Sequence, residues 1–415
     1  MKKQILAASA GAVALAVLAW AAAGGVDNGS GGGFVLLSGT GGNSAASPRA
    51  IQPTPAADSG EFQLAADGRH ILDSYICVFR SGAVGRGQER AEAARSAAAA
   101  RGGLGHVYDT ALHGFSVHAS AQGIARMQAG NRSIEYCEQD QVMAIVDPVQ
   151  AAAPPGSGGG TPTGEQTPPG VLRVRGGSTT ASGTAWVIDT GIDLDHPDLH
   201  VDVARSRNFV TRETSPDDLN GHGTHVAGTI AAEKDGAGVV GVAPGSTVVA
   251  IRVLNRRGSG SNADVIAGVD WVAKNGVAGD VANMSLGGSR SDALDTAVIN
   301  ASAKVKFALA AGNETDNADN HSPGRVNGPN IYTIAAFSAT NGAWASFSNY
   351  GKPPVDYAEP GVSVLSTWKD GGYNTISGTS MATPHMAGIL LLRLPVTNGT
   401  VTRTGTSEIY DVGSL

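Results

Sequence analysis

Residues 185–191 read AWVIDTG, a short continuous apolar run that ends in a polar turn. Five more apolar runs follow along the chain, at residues 248–254, 281–286, 305–310, 331–337 and 362–368. Helical patterns separate several of these runs, for example over residues 263–274 and 292–303. Buried strands that alternate with helices are typical of a parallel sheet covered on both faces. We therefore predict a doubly wound, mostly parallel α/β domain over residues 171–415, with functional groups at the carboxyl ends of its strands.

The composition of the whole chain excludes several classes of protein. Of 415 residues, 41% are hydrophobic and 16% are charged, which is enough apolar material for a large core and too little charge for a disordered chain. The formal net charge of −7 leaves no basic excess to hold a phosphate backbone, so we predict no nucleic-acid partner. Only two cysteines occur, which excludes a disulfide-dense scaffold and a cysteine-rich zinc module.

The N-terminal segment indicates export. Lys2 and Lys3 precede an unbroken apolar run over residues 5–23, and a charged start before an apolar stretch is typical of a secretory signal peptide. An uncleaved membrane anchor stays open as the alternative, because a run of this length could just span a bilayer. We predict a signal peptide over residues 1–23 and a secreted protein, with periplasmic or membrane-anchored location as the minority alternatives.

Two linkers and one small domain lie between the signal peptide and the α/β domain. Residues 24–60 are rich in Gly, Ser, Ala and Pro and predict a flexible linker, and residues 148–170 predict a second linker rich in Pro and Gly. Within residues 61–147, strand and helix patterns alternate, which predicts a small α+β domain. The predicted strands lie at residues 75–79, 113–117, 134–140 and 142–146, and the predicted helices at residues 89–101 and 121–129.

Three polar motifs stand where a parallel sheet would gather its functional groups. Asp189 directly follows the first apolar run, His222 lies in the motif NGHGTHVAG, and Ser380 lies in SGTSMATPH. A serine hydroxyl becomes a nucleophile when an imidazole takes its proton, and a carboxylate must orient that imidazole. Asn313 follows the fourth apolar run in the motif AAGN, where its amide would donate to a developing oxyanion. We predict that these four residues form a catalytic site.

Each motif alone has a simpler interpretation. An Asp-Thr-Gly sequence after a strand is usually a turn, and Gly-Thr-Ser-Met could merely cap a helix. His222 and His225 have helical spacing and could hold zinc, but no third ligand motif lies nearby, and we interpret His225 as a packed helix residue. The conjunction of four extended motifs, in the order Asp, His, Asn and Ser, favours the catalytic interpretation.

The motifs around these residues resemble those of the subtilisin-like serine proteases. The match spans about residues 185–390, and residues 345–351 and 365–368 are similar to the proteinase K branch of that family. The order Asp, His, Ser is also that of subtilisin. The resemblance implies a subtilisin-like fold and a secreted serine endopeptidase that cleaves protein or peptide substrates through an acyl-enzyme. It also implies a monomer with no stable membrane association.

The small domain, residues 61–147, looks like the inhibitor-type propeptide that precedes this catalytic domain, with a ferredoxin-like fold. The resemblance implies a precursor that its own propeptide inhibits and that Ser380 cleaves within residues 145–170. In a ferredoxin-like arrangement the first and last strands are antiparallel neighbours, so Cys77 and Cys137 would lie within disulfide range. Two reduced, buried cysteines stay open as the alternative.

The resemblance also implies the residues that bind the substrate backbone. One segment would pair with the substrate as an added strand, and another would form the opposite wall; these are Ser285, Leu286 and Gly287, and Gly258, Ser259 and Gly260, respectively. Main-chain pairing provides affinity with little choice of side chain. We therefore expect broad endopeptidase action.

Calcium, in a structural role, is the cofactor that the resemblance implies. Asp356, with the carbonyls of Pro329 and Ile331, resembles the calcium site of proteinase K, and Asp198 with Asp235 resembles a site of subtilisin. Carboxylate and carbonyl oxygens are the ligands that calcium prefers. Ordinary surface acids are the alternative at either place.

The chain after Ser380 departs from the pattern of the family. Pro395 predicts the end of the helix that Ser380 begins, and residues 395–403, with Asn398-Gly399, predict a hairpin where the family usually continues with a helix and a strand. A catalytically impaired binding protein of the same fold is therefore the alternative function. A second alternative, an acid-acting serine-carboxyl peptidase, would carry Glu and Asp where His222 and Asn313 stand, so these two residues indicate neutral to alkaline action.

Overall fold

The computed structural model describes residues 62–145, 162–211 and 213–415. The predicted signal peptide, the first linker and residues 148–161 of the second linker lie outside the described residues. We use the term N-terminal domain for residues 62–145 and the term catalytic domain for the described residues from 162 onwards. Among all of these residues, no helix is both long and apolar enough to cross a membrane.

The N-terminal domain is one antiparallel sheet with two helices. Its elements are β1 (His70–Phe79), α1 (Glu89–Ala100), β2 (Gly103–Tyr108), β3 (Gly114–His118), α2 (Ala121–Gly130) and β4 (Ile134–Ile145). The strand order β4-β1-β3-β2 is that of the predicted ferredoxin-like arrangement. Small and apolar side chains of both helices, such as Ala93, Ala97 and Ile124, pack on Phe115 and Val117 of β3.

Two details of this domain differ from the prediction. The strand β2 was missed, because Gly103 and Gly105 weaken its strand pattern. The two predicted strands at residues 134–140 and 142–146 are instead one long strand, β4. Asp140 and Gln141 interrupt the apolar pattern there, but the Asp140 carboxylate accepts a hydrogen bond from Ala263 of the catalytic domain. The polar residues therefore mark an interdomain contact and not the end of a strand.

Cys77 on β1 and Cys137 on β4 face each other in the antiparallel register. Their Cα atoms lie 4.0 Å apart and their sulfur atoms form a disulfide. The structure therefore has the paired cysteines and not the reduced alternative. The bond closes a loop with a sequence separation of 60, so it links the first strand of the domain to the strand that leaves it.

The catalytic domain contains a doubly wound sheet, as predicted. In the described residues its order is β17-β18-β14-β13-β11-β9-β5-β7-β6, and every pairing except that of β17 with β18 is parallel. The strands are β5 (Ala185–Asp189), β6 (Arg207–Asn208), β7 (Val248–Arg252), β9 (Val281–Met284), β11 (Lys306–Ala310), β13 (Ile331–Phe337), β14 (Val355–Pro360), β17 (Val396–Thr402) and β18 (Ile409–Ser414). Short strands outside this sheet are β8 (Ser259–Ser261), β10 (Leu286–Ser289), β12 (His321–Ser322), β15 (Val364–Trp368) and β16 (Gly372–Ile376).

Helices cover both faces of the sheet. They are α3 (Pro169–Arg173), α4 (His222–Ala231), α5 (Asn262–Asn275), α6 (Asp292–Ala301) and α7 (Thr379–Leu392), with a short 3-10 turn at Ala318–Asn320. Alternate residues of β5 point to opposite faces: Trp186 and Ile188 belong to the core under α5 and α6, while Ala185 and Val187 belong to the core under α4 and α7. The continuous apolar run is thus explained by burial on both sides.

One predicted strand of the sheet is wrong. Residues 362–368 contribute β15, which pairs antiparallel with β16 in a separate two-stranded ribbon. The hydroxyls of Ser366 and Thr367 donate to the carbonyl oxygens of His225 and Thr224, so the ribbon is held on α4 instead of in the sheet. The position next to β13 belongs to β14, whose sequence VDYAEP is too polar to be identified as a buried strand.

The C-terminal segment is a hairpin, but its turn is not at Asn398-Gly399 as predicted. The strands β17 and β18 are joined by residues 403–408, and Gly399 lies inside β17 at a shift in register, with φ +88°. The Arg173 guanidinium donates to the Asn398 carbonyl, so the kinked part of β17 is held against α3. The helix α7 ends at Leu392, two residues short of the end at Leu394 that Pro395 predicts.

We expect the disulfide to stabilise the N-terminal domain only. Replacing both cysteines (Cys77→Ser with Cys137→Ser) should lower its free energy of unfolding by about 4 kcal/mol, because closing a loop of this length restricts the unfolded chain. Calorimetry in a Ser380→Ala background, chosen to prevent the predicted self-cleavage, measures the transitions of both domains. The catalytic domain contains no cysteine, so its transition should not move. Equal shifts of both transitions would contradict this expectation.

Candidate active site

The four predicted catalytic residues stand at the carboxyl ends of strands or at the starts of helices. Asp189 is the last residue of β5, and two residues separate Asn313 from the end of β11. His222 begins α4, and Ser380 is the second residue of α7. Parallel strands share one carboxyl edge, and both helices start at that edge, so the fold brings residues far apart in sequence into one region.

Asp189 and His222 form a buried pair. His222 Nδ1 lies 2.8 Å from Asp189 Oδ1, and neither side chain is exposed by more than 1%. An ionised carboxylate can only accept, so Nδ1 carries the proton and donates. Nε2 is then the basic nitrogen, and it has no hydrogen-bond partner among the described residues. The imidazole is thus held in the tautomer that can accept a proton.

Ser380 is bound reciprocally to Ser285. The Ser380 hydroxyl donates to the Ser285 carbonyl oxygen at 3.0 Å, and the Ser285 hydroxyl donates to the Ser380 carbonyl oxygen at 2.8 Å. In the described residues the Ser380 hydroxyl therefore points to Ser285 and not to His222. The hydroxyl must release this hydrogen bond before it can donate to the imidazole.

The amide of Asn313 has a fixed orientation. Its Oδ1 accepts hydrogen bonds from the backbone N–H and the hydroxyl of Thr379, both at 2.9 Å. Its Nδ2 lies 3.1 Å from the point where a Cβ on Gly378 would stand, so the amide N–H groups are close to the first turn of α7. An amide donor and the N-terminal N–H groups of a helix thus stand together beside Ser380, where they favour negative charge.

The end of β4 lies between the two segments predicted to bind substrate. Residues 142–144 pair antiparallel with β8, and residues 144 and 145 pair antiparallel with Gly287 and Leu286 of β10. The Ile145 N–H also donates to the Gly258 carbonyl oxygen at 2.8 Å. The structure brings both predicted walls together around one strand, and that strand belongs to the N-terminal domain.

The side chains of this strand fit closely against the walls. Met143 is fully buried, in the same apolar cluster as Leu254 and Leu286. A Cβ on Gly288 would lie 2.6 Å from the Met143 sulfur, and a Cβ on Gly258 would lie 2.7 Å from Ile145 Cδ1. The side chains of the strand thus pack directly on the glycines of both walls.

Two acidic residues of β4 contact the starts of helices in the catalytic domain. Glu138 accepts from the Ser291 hydroxyl and the Ala293 N–H at the start of α6. Asp140 accepts from the Ala263 N–H at the start of α5, and burial, with the nearby Asp264, raises the pKa of Asp140 to about 7. Sequence reasoning missed this role, although the alternate spacing of two acids on one strand was a usable signal.

His225 is a structural residue. Its Nε2 donates to the Val364 carbonyl oxygen at 2.9 Å, and burial lowers the pKa of His225 to about 3. The ring packs edge-on against Trp368. The buried ring and its hydrogen bond to a carbonyl fit the interpretation of His225 as a packed helix residue.

The predicted calcium ligands occupy two separate places. Asp356 on β14 accepts from the Thr333 N–H at 2.8 Å, and burial raises its pKa to about 6. Asp198 accepts from the Val239 N–H at 2.9 Å, and burial, together with the charges of Asp235 and Glu233, raises its pKa to about 6. Asp235 itself is exposed.

In the described part of the chain, no three His, Cys, Asp or Glu side chains converge as a metal site. Any cation at either place would therefore depend on backbone carbonyl oxygens, such as those of Pro329 and Ile331, for several of its ligands.

Comparison with known proteins gives consistent relatives. The model of the family described as "Subtilase family" matches residues 186–403. The chain is 38% identical over 365 residues to alkaline serine exoprotease A of Vibrio alginolyticus. That match covers 83% of this chain and 66% of the relative. The chain is also 43% identical over 291 residues to the extracellular serine proteinase of Thermus sp. (strain Rt41A). This second match covers 69% of the chain and 68% of the relative.

A solved structure described as a cold adapted subtilisin-like serine proteinase is also similar. It is 43% identical in sequence, with a TM-score of 0.47, and the alignment covers 54% of this chain and 83% of that chain.

We expect Met143→Asp to loosen the strand in the cleft, because it would place an unpaired carboxylate in an apolar cluster. In a Ser380→Ala background, added trypsin should then digest the N-terminal domain more than tenfold faster than it digests the parent. Met143→Leu, which keeps the volume and polarity of the side chain, serves as the control and should change the rate little. Digestion of Met143→Asp at the parental rate would contradict the packing described above.

Proposed function

The chain belongs to the subtilase family of serine endopeptidases, and we propose that Ser380 is its nucleophile, His222 its general base and Asp189 the carboxylate that orients the base. The family match includes all of these residues and Asn313. The observation that carries the assignment is the buried 2.8 Å contact between Asp189 and His222 at the edge of the sheet where α7 begins. A base with its free nitrogen directed away from the carboxylate is what a serine nucleophile requires.

The reaction begins when the Ser380 hydroxyl turns from Ser285 to His222. Its oxygen attacks the carbonyl carbon of the substrate while its proton passes to His222 Nε2, and Asp189 stabilises the imidazolium that forms. The carbonyl oxygen becomes an oxyanion, which accepts hydrogen bonds from Asn313 Nδ2 and the Ser380 N–H. Collapse of this intermediate breaks the peptide C–N bond, and the imidazolium gives its proton to the departing amine.

The second half of the reaction releases the acyl group. Ser380 now holds the acyl part of the substrate as an ester. His222 takes a proton from water, the resulting hydroxide attacks the ester carbon, and the same oxyanion contacts stabilise the second intermediate. The Ser380 oxygen leaves with the proton from His222, and the enzyme returns to its starting state. The net reaction is hydrolysis of one peptide bond.

The substrates are extended stretches of protein or peptide. The two walls of the cleft offer backbone groups to an inserted strand, and they are formed by residues 258–260 and 285–287. The strand β4 already makes such contacts. Since main-chain pairing does not depend on side-chain identity, we expect the enzyme to cleave many sequences.

The N-terminal domain acts as an inhibitor of the precursor. Its last strand lies between the two walls of the cleft and pairs with both of them. Glu138 and Asp140 of this strand accept hydrogen bonds from backbone N–H groups at the starts of α6 and α5. The register pairs Ile145 with Leu286, which follows Ser285, and the Ser285 carbonyl oxygen contacts Ser380. We therefore propose that Ser380 cuts the chain beyond this strand, within residues 145–170.

Secretion is supported by three independent features. A relative from Thermus is named an extracellular serine proteinase. The disulfide between Cys77 and Cys137 is of a kind that persists in oxidising compartments outside the cytosol. The N-terminal sequence has the pattern of a signal peptide. The monomeric state stays a prediction.

Calcium is a second part of the proposal, with a structural role. Asp198 is a buried carboxylate and Asp356 a half-buried one, both with raised pKa values, and a bound divalent cation would offset the cost of ionising them. Asp356 would hold the ion with the Pro329 and Ile331 carbonyls, and Asp198 would hold it with the loop that contains Asp235. The mixture of carboxylate and backbone oxygens fits calcium.

Self-cleavage tests the proposed nucleophile. We expect the purified wild-type chain to be cut within residues 145–170 and the Ser380→Ala chain to stay intact, with intact mass as the readout. Wild type, but not Ser380→Ala, should also hydrolyse casein, and a serine-directed inhibitor should stop it. Equal cleavage of both chains, purified from a host without other proteases, would show that Ser380 is not responsible.

Asn313 tests the proposed oxyanion site. Asn313→Ala should lower kcat by about 10²–10³ with little change in KM, because the donor acts on charge that develops only in the transition state. Steady-state kinetics with a peptide substrate give both constants. A loss confined to KM would assign Asn313 to ground-state binding instead.

Removal of calcium should matter more as the pH rises. In the folded protein the pKa values of Asp356 and Asp198 are about 6, against an ordinary value of 3.8. Without a cation, their contribution to the free energy of unfolding is therefore full below about pH 4 and is lost as the pH rises through about 6. A cation reverses that loss. The difference in Tm with and without a chelator should thus be small at pH 5 and large at pH 8, and Asp356→Asn or Asp198→Asn should each reduce it. A Tm that the chelator leaves unchanged at pH 8 would contradict both sites.

A further inference from the structure

Asp218 is a buried carboxylate that stands four positions before His222 and is only 4% exposed. It accepts five hydrogen bonds. Oδ1 accepts from the Thr190 hydroxyl at 2.9 Å, the Asn220 N–H at 2.9 Å and the Gly221 N–H at 2.8 Å. Oδ2 accepts from the N–H and the hydroxyl of Thr224, at 2.9 Å and 2.7 Å. One side chain therefore binds both the loop that enters α4 and the first turn of that helix.

Thr190 connects this carboxylate to the neighbour of Asp189. The Thr190 hydroxyl donates to Asp218 and also accepts from the Gly223 N–H at 2.9 Å. Thr190 follows Asp189 in sequence, and Gly223 follows His222. Asp189 and His222 are thus each adjacent in sequence to a residue, Thr190 or Gly223, and these two residues are hydrogen-bonded to each other. Asp218 accepts from the same Thr190 hydroxyl.

The loop that carries Asp218 is also held from its other side. Arg252, the register partner of Asp189 on β7, donates to the carbonyl oxygens of Ser215 and Asp217, at 3.1 Å and 2.9 Å. The carboxylate is therefore fixed relative to the strand ends of both β5 and β7.

We propose that Asp218 is a positioning residue, which sets the distance and angle between the Asp189 carboxylate and the His222 imidazole. This inference rests on the proposed function. The pair is separated by 33 residues of chain, so no local backbone geometry fixes its contact. Catalytic groups need placement within about 0.5 Å, and the link through Thr190 and Asp218 supplies a direct constraint between the two backbones.

The chemistry of the link requires a carboxylate. All five partners of Asp218 donate, and Thr190 can donate to it because the Thr190 lone pairs accept from Gly223. In Asp218→Asn, the same shape would turn an NH2 group toward two or three of these donors. The start of α4 would move to relieve those contacts, and His222 would move with it.

Asp218→Asn should lower kcat at least tenfold and leave KM within about twofold of wild type, because the walls that bind the substrate backbone do not contact this link. The matched control is Asp280→Asn. Asp280 is 2% exposed and also accepts several hydrogen bonds, from the Thr184 N–H, the Trp186 indole and the Val277 N–H, but it lies at the amino end of β5. Asp280→Asn should lower Tm without lowering kcat per folded molecule.

The decisive comparison repeats Asp218→Asn in a His222→Ala background. If Asp218 acts through His222, the second substitution should change the residual kcat by less than about twofold, because groups that work as a unit are not additive. Equal losses in both backgrounds, no loss in the wild-type background, or an equal kcat loss in Asp280→Asn would each overturn the inference. An inactive wild type, or a His222→Ala variant with full activity, would instead overturn the proposed function, and this inference with it.

A second pair of variants tests the link even if Asp218→Asn does not fold. Thr190→Val keeps the shape of the side chain and removes the hydroxyl, whereas Thr190→Ser keeps the hydroxyl. We expect Thr190→Val to lower kcat at unchanged KM and Thr190→Ser to retain most of the wild-type kcat. Equal kcat values for the two variants would overturn the inference.

Discussion

Antiparallel pairing of residues 142–145 with β8 on one side and β10 on the other is the interaction on which the rest of the structure depends. It joins a small domain to a large one through backbone groups of the two segments that we propose bind the substrate. The disulfide ties β4 to β1, so the strand is presented by a cross-linked sheet. In the proposed function, inhibition and substrate binding use one surface, and an occupant of that surface must leave before another can enter.

The chemistry depends on a second constraint, which is the common edge of a parallel sheet. Asp189 ends β5 and Asn313 follows β11 at that edge, with β9 between the two strands, and the helices that begin with His222 and Thr379 start beside it. Hydrogen bonds then refine what the topology brings near: Thr379 turns the Asn313 amide, and Asp218 with Thr190 ties the strand of the acid to the helix of the base. The fold gives proximity, and these side chains give orientation.

The sequence predicted the features whose signals are local. Buried strands such as β5 are continuous apolar runs, and the catalytic motifs combine rare residues with glycines. The missed features depend on contacts distant in sequence. The polar strand β14 is stabilised by its neighbours, residues 362–368 leave the sheet because Ser366 and Thr367 bind α4, and Asp140 continues β4 because it meets α5. The cysteine pairing needed the register of β1 and β4, which no local pattern contains.

Hydrogen exchange of the backbone amides in the Ser380→Ala chain tests the central claim most directly, namely that the N-terminal domain occupies the substrate cleft. We predict that amides of residues 142–145 exchange at least 10²-fold more slowly than in an unstructured peptide, and that residues 259–261 and 286–289 are protected with them, because each strand is paired with the next. Exchange of residues 142–145 at the rate of an unstructured chain, with the rest of the N-terminal domain still protected, would contradict it.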